Sequence, residues 1–101
     1  MLKTDMPKYD ITTSCVLVVN DISTTISELI KALPLHSTRM VRNEQSINDE
    51  FQIAQSNATI KEAYIASNSV KYILLCGATF RKEAQNALLK VLEEPPLNIV
   101  F

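Results

Sequence analysis

The 101-residue chain is the size of one small domain, and its 47% apolar and 21% charged residues exclude both a disordered tail and a coiled coil. Ten basic and eleven acidic residues are dispersed along it and leave a formal charge of −1, so the overall balance gives no drive toward nucleic acid or an anionic membrane. Met1 to Pro7 lacks a signal-peptide core, and Cys15 to Val19 is far shorter than the ~20 residues of a membrane span, which predicts a soluble, cytoplasmic protein.

SCVLVVN (Ser14 to Asn20) is a continuous apolar, β-branched run, the pattern of a central strand covered on both faces. A helix follows, with Ile22, Ile26, Leu29, Ile30 and Leu33 at helical spacing, a capping box offered by Thr25 and Glu28, and a stop at Pro34. Arg39 to Asn43 is read as a short strand, Glu44 to Glu50 as a loop, and Phe51 to Ile53 as the start of another strand. A second helix is expected from Ser56 to Ser67, carried by Ile60, Ala63, Tyr64 and Ala66 and closed by a turn over Ser67 to Ser69. VKYILLC (Val70 to Cys76) predicts a second apolar strand, Arg81 to Glu94 a third helix, and NIVF (Asn98 to Phe101) a third apolar strand.

This alternation predicts an α/β domain with a parallel sheet and right-handed crossover helices. Three apolar strands in so short a chain require cover for their edges, by further chain or by a partner. Cys15 and Cys76 are the only cysteines, lie in strand-like runs without a CxxC pair, and are expected to be reduced, buried thiols. His36 stands alone in a loop as a solvated side chain, which leaves no metal set and no nucleophile with its base.

Open parallel sheets bind ligands at the carboxyl ends of their strands. Two places therefore matter. A phosphate loop needs glycines for close backbone approach and a lysine for the phosphates, but Asn20 to Thr25 reads NDISTT and the whole chain holds one glycine, Gly77. Asp21, Ser23 or Thr24 reads instead as an ordinary helix N-cap. At the end of VKYILLC, a nucleotide hydrolase would carry an acidic pair for magnesium, whereas Leu75 to Thr79 contains no carboxylate. No catalytic residue, cofactor ligand or metal ligand is assigned.

The third helix places Phe80, Ala84, Ala87, Leu88, Val91 and Leu92 on one face and Lys82, Glu83, Gln85, Asn86, Lys90 and Glu93 mostly on the other. Its string AQNALLKVLEEPP, preceded by KYILL and followed by NIVF, closely resembles the stretch after the Walker B strand in AAA+ clamp-loader subunits of bacterial DNA polymerase III. The resemblance covers Phe51 to Phe101, with a weaker strand-helix correspondence over Ser14 to Leu33.

What the resemblance implies is a single incomplete N-terminal AAA+ domain over residues 1–101, cut within its last strand. Its nucleotide site would be degenerate, because NDISTT and LCG stand where the family keeps its Walker A loop and acidic pair. It further implies a non-catalytic stator role in loading the sliding clamp onto primed DNA, with no intrinsic enzymatic activity and no cofactor. The partners implied are the ATP-binding subunits and delta, with the sliding clamp and primed DNA engaged indirectly, no membrane, and self-association through an exposed sheet edge. Gln85 matches a glutamine that supports a hydrogen-bonded junction in relatives, while Asn86, Lys90, Glu93, Glu94, Pro95 and Pro96 match motif letters that serve capping, inter-element bonds and subunit contact. The relatives' arginine-presenting S-R-C motif and four-cysteine zinc module have no counterpart in these 101 residues. Two other readings stand beside this one: an ATP-binding subunit with an unconventional site, and a small free-standing interaction protein.

Overall fold

The computed structural model describes residues 14–101. Its elements run α1 (Ile22–Ala32), a 3-10 turn at Leu35–Ser37, β1 (Thr38–Arg42), β2 (Glu50–Phe51), α2 (Ile53–Ala63), β3 (Lys71–Cys76), β4 (Thr79–Phe80), α3 (Lys82–Glu93) and β5 (Ile99–Val100). A three-stranded parallel sheet has the order β1-β3-β5, with Met40 opposite Leu74 and Tyr72 opposite Val100. A second, two-stranded parallel sheet pairs β2 with β4, stacking Phe51 on Phe80 at 4.5 Å between ring centroids. The expected α/β parallel architecture is therefore observed.

Consecutive crossovers from β1 through α2 to β3, and from β3 through α3 to β5, advance in one direction across the sheet. Right-handedness puts both helices on the same face, and α2 and α3 do pack together. Phe51, Ala63, Ile73, Ala84, Leu88, Val91 and Ile99 form the buried core of that layer. Alternation along β3 sends Lys71, Ile73 and Leu75 toward it and Tyr72, Leu74 and Cys76 away. The connection from Cys15–Val19 to β1 runs back in the opposite direction, so the same handedness rule assigns α1 to the other face, to which it turns Ile26 and Leu29.

Two buried polar groups tie the layers together. Ser56 Oγ donates to the Ala84 carbonyl at 2.8 Å, joining α2 to α3. Lys71, only 4% exposed, sends its ammonium under the carboxyl end of α2, where it reaches the Glu62 carbonyl at 2.7 Å, the Ile65 carbonyl at 2.9 Å and Glu62 Oε2 at 2.9 Å. Both carbonyls lie at the helix end, where the macrodipole favours a cation.

Several expectations are corrected. Ser14–Val19 forms no regular strand and is largely exposed; it runs beside β5, with the Cys15 N–H donating to the Phe101 carbonyl at 3.1 Å and Ser14 Oγ accepting from the Phe101 N–H at 3.0 Å. It lies at the sheet margin because no strand among the described residues pairs with its other side. Cys15 is accordingly exposed, while Cys76 is buried as expected. The α1 cap is Asp21 rather than a Thr25–Glu28 box. Helix α2 begins at Ile53, one turn earlier than its periodicity indicates, and the Gln55 side chain reaches back to accept from the Gln52 N–H at 2.9 Å. Its inward face is Ser56, Thr59 and Ala63, with Tyr64 59% exposed.

Candidate functional site

The amino end of α1 is where a phosphate would bind if this sheet held a nucleotide. Asp21 has already taken that position. Its Oδ1 accepts from the Thr24 N–H at 3.1 Å, and its carbonyl accepts from the Thr25 N–H at 3.1 Å and from Thr25 Oγ1 at 3.0 Å. The Thr24 hydrogen bonds hold the Asp21 carboxyl below its ordinary pKa. A fixed negative charge thus sits on the helix end, satisfying one of its free amides and repelling an incoming anion.

At the carboxyl end of β3 the turn over Gly77 and Ala78 packs closely against Phe51. A β-carbon on Gly77 would stand 3.1 Å from Phe51 Cβ and 3.2 Å from the Thr79 carbonyl, a tight fit that glycine relieves where the turn passes the buried Phe51. The Ala78 N–H donates to the Asp49 carbonyl at 2.8 Å, and the Arg81 N–H to the Phe51 carbonyl at 2.9 Å. These bonds and the β2–β4 pair latch the 49–51 segment over the strand end.

The carboxylate brought to this end is Asp49, which sequence reasoning passed over. It is turned to Arg42 in a two-pronged pair, Nε to Oδ1 at 3.0 Å and Nη2 to Oδ2 at 2.9 Å, which raises the arginine pKa further. Asp49 has φ 54°, a left-handed conformation that aspartate tolerates in turns, so the sequence signal was its place in the polar run SINDE. Cys76 lies close by, its thiol pushed up to about 11 by burial, and is no nucleophile at neutral pH. Among the described residues, no cluster of His, Cys, Asp and Glu could hold a metal ion.

The motif residues of α3 divide into two groups. Gln85 Nε2 donates to the Phe80 carbonyl at 2.8 Å, fastening the first turn of α3 to β4. Asn86, Lys90 and Glu93 recur at i, i+4 and i+7 on an exposed stripe. Among the described residues their side chains, and that of Glu94, make no hydrogen bond or ion pair. The end of α3 is closed by backbone, with the Glu94 N–H donating to the Lys90 carbonyl at 3.0 Å. Pro95 is exposed and Pro96 half-buried, and the Pro96 carbonyl accepts from the Ile99 N–H at 3.1 Å to turn the chain into β5.

The family model described as DNA polymerase III, delta subunit, matches residues 13–101. The chain belongs to the DNA polymerase III delta subunit family. Its role is accordingly related to the clamp loader of DNA polymerase III, a multi-subunit assembly of DNA replication. Neither the curated proteins nor the solved structures yield a match. No helix of the described residues is long and apolar enough to cross a membrane.

Proposed function

We propose that this chain is the stator-type, delta-prime subunit of the clamp loader, a cytoplasmic accessory component without intrinsic activity. It would hold the ATP-binding subunits and delta in register while they place the sliding clamp on primed DNA. The observation that carries this reading is Asp21 seated on the amino end of α1, with neither Gly nor Lys in NDISTT and no acid in the Cys76–Thr79 turn. Residues 1–101 form one AAA+ N-terminal unit in this reading, and the nucleotide position serves as a helix cap instead of a phosphate cradle.

The stripe of Asn86, Lys90 and Glu93 supplies the subunit contact, with Gln85 keeping α3 fixed to β4. Two measurements test this. Titration with magnesium-ATP is expected to show no saturable binding, and micromolar binding would refute the nucleotide-free reading. Replacing Asn86, Lys90 and Glu93 together by alanine is expected to abolish co-purification with the ATP-binding subunits and delta at unchanged circular dichroism. Unimpaired co-purification would refute the interface.

A further inference from the structure

Helix α3 leaves the sheet at β4 and returns to it at β5, so the angle of its exposed stripe depends on how both ends are held. Burial of Leu88 and Val91 decides only which side turns inward. At the amino end, Gln85 Nε2 donates to the Phe80 carbonyl at 2.8 Å and Ser56 Oγ to the Ala84 carbonyl at 2.8 Å. The carboxyl half, which carries Lys90 and Glu93, is followed by a connector over residues 94–97 in which Glu94, Pro95 and Leu97 are exposed, Leu97 at 86%. Packing therefore fixes little of that connector.

Stereochemistry fixes it instead. Pro95 and Pro96 lock their own φ angles and restrict the residue before each, so the connector is stiff as far as Pro96. The Ile99 N–H donates to the Pro96 carbonyl at 3.1 Å and closes a turn over Leu97 and Asn98. Asn98 has φ 67°, the left-handed value that the third residue of a type II turn requires and that glycine or asparagine supplies. Its carbonyl accepts from the Lys71 N–H at 2.7 Å, and its Nδ2 donates to the Ser67 carbonyl at 3.0 Å, beyond the end of α2. One residue thus joins a stiff connector to β3 and to the turn that follows α2.

We propose that Asn98 is the positioning residue of the α3 stripe: its left-handed backbone and its bond to Ser67 set the direction in which the connector enters β5, and so hold Lys90 and Glu93 at the angle a partner subunit meets. This inference rests on the reading of the stripe as the subunit contact. Its reach follows from the prolines, because a change of φ at residue 98 turns residues 94–97 together with the end of α3 instead of being absorbed between them.

The test compares the full chain with its Asn98→Gly variant, which keeps access to the left-handed backbone and deletes the side-chain bond. Binding to the purified ATP-binding subunits and delta, measured well below the melting temperature of both chains, is expected to weaken about tenfold. Residual dipolar couplings of the backbone N–H groups are expected to show α3 (Lys82–Glu93) reoriented against β3, with α1 and β1 in their parent arrangement. Asn98→Asp, of the same shape but without a donor for Ser67, is expected to behave alike. Parent-like binding by either variant, while the joint alanine variant of Asn86, Lys90 and Glu93 fails to bind, would overturn this inference and leave the subunit reading standing. Unimpaired binding by that alanine variant would overturn the subunit reading and the role of Asn98 with it. Weakened binding with α3 in its parent orientation, or with couplings altered throughout the chain as in a general loss of stability, would overturn the positioning role as well.

Discussion

Lys71 is the only charged side chain in the buried set of described residues, and the geometry around it fixes what its removal should do. Lys71→Met keeps most of the aliphatic stem and deletes the ammonium, leaving the Glu62 and Ile65 carbonyls without the donor that now reaches them at 2.7 and 2.9 Å. Hydrogen bonds from a charged donor contribute about 1.5–3 kcal/mol each, and breaking a buried ion pair costs about 3–5 kcal/mol. Those figures do not add, because the Glu62 side chain is 26% exposed and keeps a second cation, Arg39, at 3.7 Å. The expected loss is about 2–3 kcal/mol, a large share of the ~5–15 kcal/mol available to a small domain, and it lowers the melting temperature by about 10–20 °C. Urea unfolding followed by circular dichroism measures it, with a shifted midpoint at unchanged slope. A double-mutant cycle with Glu62→Gln separates the ion pair from the carbonyl bonds. A Lys71→Met variant within about 0.5 kcal/mol of the parent would refute the claim that this ammonium holds the end of α2.

Gly77→Ala forces a β-carbon to within 3.1 Å of Phe51, itself fully buried, and is expected to cost about 1–3 kcal/mol by overpacking, read from the same urea titrations. The thiol reagent DTNB at pH 8 is expected to modify Cys15 rapidly and Cys76 only after denaturation, since the first is exposed and the second is buried with its pKa raised to about 11. That raised value also sets a pH window. Cys76 contributes stability fully below the ordinary thiol value of 9.0 and loses it as pH climbs toward 11, because the unfolded chain ionises first. Asp21 has the opposite sign: its depressed pKa stabilises the fold above the ordinary value of 3.8, and the effect is lost as pH falls through the lower folded value. The melting-temperature difference between parent and Asp21→Ala should therefore be present at neutral pH and shrink below pH 4.

Elements whose pattern is settled locally were readable in the chain. β3 lies within VKYILLC, α3 within Arg81 to Glu94, and α1 stops just before Pro34, because apolar runs, helical spacing and proline act through neighbouring residues. What was missed depends on contacts distant in sequence. β4 is two residues long and exists because Thr79 and Phe80 find Glu50 and Phe51, so no local signal announces it. Lys71 was swept into an apolar strand because its acceptors belong to the preceding helix. The start of α2 at Gln52 escaped notice since glutamine is a poor N-cap by preference, and here the Gln55 side chain bonds back to the Gln52 N–H.

The misreading of Ser14–Val19 has the same origin. A run such as CVLVV states that its side chains would be stable when covered on both faces, but coverage comes from neighbouring strands and helices, which the run itself does not encode. In the structure it touches the sheet through the Cys15 N–H and Phe101, and Val16 and Val18 stay exposed because no neighbouring strand among the described residues pairs with them.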